Sequence, residues 1–378
     1  MKKMIKRYYN IENFLQNGKV LIIYGARQVG KTTLLQDFLS KTDLKYKLDS
    51  GDNISTQQIL GSQNFDEILS YVEDYDLLAI DEAQPIKNVG QGLKILVDQK
   101  PQLKIIVTGS SSFDLSQNLG EPLTGRKRTL ILYPLANLEL KSLYNEYELQ
   151  ENLKDLLVFG SYPEVLTARN IKERIDLIEE LVNSYLLKDV LALEKIRGTK
   201  QLLDLLKLIA FQIGNQVSFN ELATQVGLDV KTVSRYLDIL EKTFVIKKIG
   251  PFSRNLRKEV TTKAKYYFVD NGIRNGVILN FNKLDDRDDV GKLFENFVMM
   301  ERIKAKDYLG RYCNSYFWRT YDQKEIDLVE EREGKLFAYE IKWSKSKKYS
   351  LPGDWDKTYP KSEYELITSA NYLNFILR

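Results

Sequence analysis

A glycine-rich segment early in the chain has the residue types and spacing of a phosphate-binding loop. Gly25, Gly30, Lys31 and Thr32 fit the pattern G-x-x-x-x-G-K-[ST], and the apolar run Val20–Tyr24 precedes them. The glycines permit a tight turn whose backbone N–H groups point at phosphate oxygens, and the N-terminus of the following helix adds a positive dipole. Lys31 would reach the β- and γ-phosphates, and the Thr32 hydroxyl would coordinate Mg²⁺. The predicted contacts are Gly25, Ala26, Arg27, Gln28, Val29, Gly30, Lys31, Thr32 and Thr33.

A second apolar run, Leu77–Ile80, ends in the two acids Asp81 and Glu82. Acids at a strand end are the expected partner of a phosphate loop. Asp81 would hold Mg²⁺ through its water shell, and Glu82 would orient or deprotonate the attacking water. The two motifs together predict Mg²⁺-dependent ATP hydrolysis.

Two further residues are weaker candidates for the same site. Ser110 follows the third apolar run, Lys104–Thr108, and a hydroxyl there would sit beside the γ-phosphate; an ordinary polar exit from a strand is an equal alternative. Arg126 could stabilise transition-state charge, in the same chain or from a neighbouring subunit, although a plain basic surface cluster explains it equally well.

Composition narrows the chemistry. The 378 residues include no histidine and one cysteine, Cys313, which excludes histidine-based triads, His- or Cys-clustered zinc and disulfide frameworks. Carboxylates, lysines, hydroxyls and a hard metal ion remain. A reducing, cytoplasmic setting fits, and no segment is long and apolar enough to predict a membrane span.

Carboxylates also converge in the last third of the chain. Asp327 and the pair Glu340 and Lys342 lie on two predicted strands joined by a turn, in the D…E-x-K order of metal-dependent phosphodiester cleavage. Glu295, on the preceding predicted helix 291–304, would be a third acid. We predict a metal site at Glu295, Asp327 and Glu340, with Lys342 catalytic; a hairpin of alternating surface charges is the alternative.

The positive charge of the chain is concentrated in its centre. The net charge is +4, yet residues 188–265 alone carry +7. Residues 218–240 are typical of a helix–turn–helix, and two predicted strands follow it, which together indicate a winged helix. We expect DNA binding, with a protein-interaction or spacer module as the alternative. The predicted DNA contacts are Lys231, Thr232, Ser234, Arg235, Arg254, Arg257 and Lys258.

These patterns predict an α/β chain of three domains and a connector. Residues 1–150 form a parallel-sheet ATPase domain, because short apolar strands alternate with helices. Residues 151–187 form a helical connector, 188–270 the winged helix, and 271–378 a mixed α/β domain.

The ordered set of motifs resembles bacterial and archaeal AAA-type ATP-binding proteins whose C-terminal region is related to PD-(D/E)XK nucleases. The resemblance implies ATP binding at Gly25–Thr33 with Asp81 and Glu82 as partners, a winged helix, and a C-terminal fold like that of restriction endonucleases. The matching pieces are Gly25–Thr33, Ile80–Gln84, Val107–Ser110, Thr124–Arg126, Leu132–Leu135, Gly160–Glu164, Tyr266–Asp270, Asp327 and Glu340–Lys342.

Two functions therefore remain open. The first is an ATPase coupled to DNA binding, with a C-terminal domain that cuts or clamps DNA under Mg²⁺. The second is a nucleotide-controlled switch that sets oligomerisation and uses its last two domains for protein interaction. A homo-oligomer is compatible with both.

Overall fold

The computed structural model describes residues 5–110, 122–183, 199–253, 263–320, 323–344 and 350–378. Arg254, Arg257 and Lys258, which the sequence predicts as DNA contacts, lie outside these residues.

The N-terminal region contains a parallel sheet of five strands in the order β2-β3-β4-β1-β5. The three apolar runs of the sequence form β1, β3 and β4, and their side chains are almost entirely buried because helices cover the sheet. The predicted parallel sheet is confirmed. The strands are β1 (Val20–Tyr24), β2 (Tyr46–Ser50), β3 (Leu77–Asp81), β4 (Lys104–Gly109) and β5 (Lys127–Ile131), and the helices are α1 (Lys31–Leu39), α2 (Ile54–Gly61), α3 (Phe65–Tyr71) and α4 (Val89–Gln99).

Five short helices follow this sheet between residues 137 and 180. Their bounds are α5 (Asn137–Leu140), α6 (Glu146–Glu151), α7 (Leu153–Phe159), α8 (Pro163–Leu166) and α9 (Ile171–Glu180).

In the part of the central basic segment that the structure describes, there are three helices and three antiparallel strands. Gly227 adopts a left-handed conformation (φ 68°) that ends the second helix, and the Asp229 side chain caps the third by accepting a hydrogen bond from Thr232 N at 2.8 Å. The elements are α10 (Thr199–Phe211), β6 (Gln216–Val217), α11 (Phe219–Val226), α12 (Val230–Lys242), β7 (Ile246–Pro251) and β8 (Ala264–Phe268).

The C-terminal region does not stand apart from this segment. Its strands join those of the centre in one sheet, in the order β12-β11-β10-β9-β7-β8-β6, because β7 pairs with β9 in parallel. The sheet thus crosses the predicted boundary at residue 270. The elements are α13 (Asn271–Val277), α14 (Val290–Tyr308), β9 (Asn314–Arg319), β10 (Glu325–Arg332), β11 (Lys335–Ile341), α15 (Gly353–Thr358), β12 (Glu363–Ile367) and α16 (Tyr372–Leu377).

A buried polar cluster joins the connector to the C-terminal region. Asp270 accepts hydrogen bonds from Ser161 N at 2.7 Å and Gly272 N at 2.8 Å, and Lys304 on α14 donates to Ser161 Oγ at 3.3 Å. A side chain at Gly160 (φ 74°) would collide with the Asp270 carboxylate, so glycine is required there.

Among the described helices, none has the length and apolar character to cross a membrane.

Candidate functional site

The phosphate loop lies between the carboxyl end of β1 and the start of α1. Gly30 (φ 96°) and Gln28 (φ 57°) have left-handed backbones, which give the loop its tight turn. A Cβ at Gly25 would lie 2.2 Å from the Leu132 carbonyl oxygen, so only glycine fits. Ala26 and Val29 are buried, whereas Arg27, Gln28 and Thr33 are exposed.

Lys31 is the first residue of α1, and its side chain is 3% exposed. Its ammonium group donates to the carbonyl oxygens of Gly25 and Ala26, each at 3.1 Å, and lies 3.7 Å from the Glu82 carboxylate. Burial lowers the pKa of Lys31, and Glu82 offsets this only in part. The loop thus holds a buried cation that is incompletely neutralised by the protein.

Two hydroxyl groups meet the Asp81 carboxylate at the end of β3. Thr32 Oγ1 donates to Asp81 Oδ2 at 2.8 Å, and Thr108 Oγ1 donates to Asp81 Oδ1. Beside them an open cavity of about 290 Å³ is lined by Thr32, Gln36, Ser50 and Asp81. Thr32 and Asp81 are therefore adjacent, as the predicted magnesium site requires.

Glu82 follows Asp81 in a left-handed conformation (φ 50°). Its backbone N–H donates to Thr108 Oγ1 at 3.1 Å, and the Gln84 side chain donates to its carboxylate at 2.6 Å. The sequence analysis did not select Thr108 or Gln84, although Thr108 lies in the quoted segment Val107–Ser110. Since β4 lies between β1 and β3, Thr108 is placed to contact both acids.

Ser110 is buried just beyond the carboxyl end of β4, beside the strands that carry the loop and the acids. Arg126 is at the opposite edge. Val20 pairs with Lys127 in parallel register, so Arg126 lies where β5 begins, about 15 Å of strand from the loop. Its guanidinium donates to Asp98 at 2.7 Å. Both strands run away from Arg126 toward the loop, so its side chain does not reach the phosphate site of its own chain. Action on a neighbouring subunit and a plain basic surface cluster stay as the open alternatives.

An arginine that sequence reasoning missed connects the phosphate loop to the C-terminal region. Arg7 donates to the backbone carbonyl oxygen of Val29 and to the Tyr308 hydroxyl at 3.1 Å. It also donates to the Tyr133 carbonyl oxygen at 2.7 Å and to Glu139 at 2.7 Å. One buried guanidinium therefore touches the loop and the last turn of α14; no local sequence signal marks this role.

The predicted D…E-x-K residues do meet at the β10–β11 hairpin. Pairing of Leu328 with Tyr339 brings Asp327 and Glu340 side by side. Lys342 Nζ lies 2.9 Å from Asp327 and 2.7 Å from Glu340, so it bridges the two carboxylates.

A second lysine, which the sequence analysis did not select, enters this cluster from β8. Lys265 is 1% exposed and forms an ion pair with Glu325; its Nζ lies 3.4 Å from Glu295 and 3.9 Å from Asp327. The Tyr267 hydroxyl donates to Glu295 at 2.8 Å. We call these side chains the carboxylate cluster: Lys265, Tyr267, Glu295, Glu325, Asp327, Glu340 and Lys342.

The carboxylate cluster has four acids against two lysines, and Arg319 at its margin forms an ion pair with Glu325 at 3.4 Å. Burial, and next the charge of Asp327, raises the pKa of Glu295 to about 7 and that of Glu340 to about 7. Burial works against the charge on Lys342, but Asp327 and Glu340 outweigh it and raise its pKa. Oxygen donors with excess negative charge suit a hard cation. Yet within the described residues no three acids are already arranged around a metal position, because the lysines lie between them.

The predicted DNA-contacting residues on α12 differ in solvent exposure. Lys231 and Arg235 are exposed, and Ser234 is half-buried. The Thr232 hydroxyl donates to Asp229 at 2.6 Å, so it contributes to the helix cap.

Three family models match successive parts of the chain. Residues 17–141 match a family described as AAA domain. Residues 150–285 and 290–371 match two families described as domains of unknown function, DUF8612 and DUF4143. The N-terminal region is therefore similar to the nucleotide-binding ATPases of the AAA type.

Similar proteins align along most of the chain. A Mycobacterium tuberculosis protein is 26% identical over 335 residues, which cover 87% of this chain and 71% of that protein. A Methanocaldococcus jannaschii protein is 26% identical over 363 residues, 90% of this chain and 78% of its own. Both are described as uncharacterized. A solved signal-transduction ATPase with a tetratricopeptide repeat sensor, from Pyrococcus horikoshii, has 16% identity and a TM-score of 0.28; the match covers 78% of this chain and 44% of that one.

Proposed function

We propose that the chain hydrolyses ATP with Mg²⁺ at the phosphate loop and couples this reaction to DNA binding through a winged helix. The observation that carries the ATPase part is the meeting of Lys31, Thr32, Asp81 and Glu82 at one sheet edge. The AAA-domain match over residues 17–141 supports the same reaction.

Each residue has a role that follows from its contacts. Lys31, a buried cation held by two backbone carbonyls, neutralises the β- and γ-phosphates. Thr32 and Asp81 would hold Mg²⁺, which supplies charge neutralisation on the phosphates. Glu82 accepts the proton of the attacking water, and Gln84 orients its carboxylate. The Thr108 hydroxyl holds the Asp81 carboxylate and the Glu82 backbone N–H in position through one hydrogen bond to each.

The experiment compares ATP binding and turnover in two variants. Lys31→Ala should weaken binding, because the buried cation is lost. Glu82→Gln should preserve binding and reduce turnover roughly 100-fold or more, since the amide is isosteric but cannot accept the proton. Arg126→Ala, at the far sheet edge, is the control for a same-chain role. Turnover that is unchanged in Glu82→Gln would rule out the assignment of the base.

The DNA-binding part rests on α12 and the antiparallel strands. Lys231 and Arg235 project from the first half of α12, where a recognition helix meets a groove. Three helices with the β6-β8-β7 strands are the elements of a winged helix. Gel-shift titration over a salt series tests this part. Lys231→Ala/Arg235→Ala should weaken binding and reduce the slope of log affinity against log salt by the equivalent of roughly two phosphate contacts. No binding at low salt by the wild type would exclude this part.

The carboxylate cluster supports a further proposal, metal-dependent cleavage of DNA. Its surplus of acids favours a cation at Glu295, Asp327 and Glu340, while Lys342 would neutralise a phosphate. Cleavage with Mg²⁺ or Mn²⁺ should disappear in Asp327→Ala and in Lys342→Ala. Cleavage that survives both changes would exclude this site.

A nucleotide-controlled switch is the second candidate, favoured by the contact of Arg7 with both the phosphate loop and Tyr308. In this function, ATP binding would change oligomerisation, with Arg126 free to act on a neighbouring subunit. Light scattering with and without ATP tests it: Arg7→Ala should uncouple assembly from ATP without abolishing ATP binding. An ATP response that persists in Arg7→Ala would contradict this route.

A further inference from the structure

A second charged cavity lies at the end of the β10–β11 hairpin opposite the carboxylate cluster. Its volume is about 690 Å³, within the range of small-molecule sites. The last turn of α14, the loop that follows it, and the hairpin tip form its walls. It is lined by five cationic side chains, Arg302, Lys306, Arg311, Arg332 and Lys335.

Most of this positive charge is not neutralised by the protein. Glu330 accepts hydrogen bonds of 2.8 and 2.9 Å from Arg302 and also forms an ion pair with Arg332 at 3.7 Å. The five cations of the lining thus face two acids, Glu330 and Glu333. Within the described residues, the side chains of Arg311 and Lys335 have no hydrogen bond or ion pair.

The strand register places like charges against each other. Arg332 pairs directly with Lys335 across a two-residue turn formed by Glu333 (φ 51°) and Gly334 (φ 74°). Like charges directly opposite on a hairpin are destabilising. Burial, followed by the charges of Arg302 and Arg332, lowers the pKa of Arg311. An anion in the cavity would relieve this repulsion.

An aromatic ring stands at the mouth of the cavity. The left-handed Gly310 (φ 64°) ends α14, and the chain then presents Tyr312, whose side chain is 99% exposed and packs on nothing. The Arg332 guanidinium lies 3.9 Å from the centre of the Phe337 ring, which fixes its plane. Guanidinium groups beside an exposed aromatic ring are the chemistry that binds a phosphate and stacks a base.

We propose that this cavity binds a nucleotide, with its phosphate against Arg311, Arg332 and Lys335 and its base on Tyr312. The nucleotide is either free or part of a single strand. The site is separate from the phosphate loop and from α12.

The test is fluorescence anisotropy of the full chain with fluorescein-labelled (dT)12 over a salt series, with dTMP as competitor. Arg311→Ala/Lys335→Ala should weaken binding at least tenfold and reduce the salt slope by roughly 1.4. Tyr312→Ala, which removes a solvent-exposed ring, should weaken it roughly fivefold or more. Lys154→Ala/Lys172→Ala removes the same charge from exposed positions elsewhere and should stay within about twofold of the wild type.

Competition by dTMP identifies a free nucleotide as the ligand, and competition only by unlabelled (dT)12 identifies a strand. If Arg311→Ala/Lys335→Ala binds the labelled (dT)12 as the wild type does, or if the wild type does not bind it, this proposal is overturned. Loss of binding only in Lys231→Ala/Arg235→Ala would also overturn it, while leaving DNA binding by α12 in place.

Discussion

Two lysines, Lys31 at the phosphate loop and Lys265 in the carboxylate cluster, are equally buried but electrostatically opposite. Burial lowers the pKa of Lys31, and nearby acids restore it only in part. Burial also acts on Lys265, but Glu295, Asp327 and Glu325 outweigh it and raise the pKa. The acids near Lys31 do not offset the effect of burial on its charge, whereas the acids near Lys265 more than offset it.

This difference indicates which kind of ion each site would bind. At the phosphate loop, the buried Lys31 ammonium donates to two backbone carbonyl oxygens, and a bound phosphate would neutralise its charge. In the carboxylate cluster, four acids share two lysines, and Glu295 and Glu340 take up protons near pH 7 instead of ionising fully. That site would be completed by a cation.

The largest expected effect separates the two lysines by stability. Lys265→Met should lower the free energy of unfolding by about 3–5 kcal/mol, because it leaves buried carboxylates without their cation. The same change at Lys31 should cost about 1 kcal/mol or less, since Glu82, the acid in its ion pair, reaches solvent. Urea denaturation of both variants measures this, and equal losses would contradict the comparison.

The next effect concerns stabilisation by bound nucleotide. Mg²⁺-ATP at about 100 times its Kd should raise the unfolding free energy of the wild type by about 2.7 kcal/mol. Lys31→Met should lose this stabilisation, whereas a folded Lys265→Met should retain it. Thermal unfolding with and without nucleotide provides the measurement. ATP stabilisation that survives in Lys31→Met would show that Lys31 does not hold the phosphates.

The raised pKa values of Glu295 and Glu340 predict that the free energy of unfolding depends on pH. The pKa of Glu295 and of Glu340 is about 7 in the folded chain, against an ordinary 4.5. Between these values the folded chain binds more protons than the unfolded chain, so the free energy of unfolding falls as pH rises from about 4.5 to 7. Each pKa unit corresponds to about 1.4 kcal/mol, so the decline contributed by this pair should amount to several kcal/mol.

Denaturation across this pH range, in the wild type and in Glu295→Gln/Glu340→Gln, checks the prediction. The double variant should lose this part of the decline, and Glu363→Gln on the exposed face of β12 should keep it. Identical pH profiles for the wild type and the double variant would exclude the proposed proton uptake.

The smallest effect is at Thr108. Thr108→Val removes one donor to Asp81 and should cost about 1 kcal/mol while raising the Mg²⁺ concentration needed for turnover. Thr129→Val, the same change at an exposed position of β5, should be nearly neutral. Equal magnesium requirements in both variants would argue against a role for the Thr108 hydroxyl.

The two sites also differ in how far the sequence predicts them. The phosphate loop depends on residues 25–33, and Asp81 is brought near by a parallel sheet that the apolar runs already predict. The distance of Arg126 from the loop could not be predicted, because a parallel register fixes which end of β5 faces the loop and no local pattern contains that register.

The carboxylate cluster depends on contacts far apart in sequence. Asp327, Glu340 and Lys342 belong to one hairpin, so their meeting follows from local pairing. Lys265 and Tyr267 arrive from β8, whose position depends on the β7–β9 pairing between two predicted domains. Arg7 likewise meets Tyr308 across most of the chain. Contacts of this kind are set by tertiary packing.

The parallel pairing of β7 with β9 limits how the chain can be divided. A fragment that begins after residue 270 would expose the edge of β9, and its carboxylates would lack Lys265. Open strand edges recruit other chains, so such a fragment should aggregate or exchange strands with its own copies. We therefore expect the central and C-terminal segments to fold only together, because the β7–β9 pairing and the Lys265 ion pairs both cross between them.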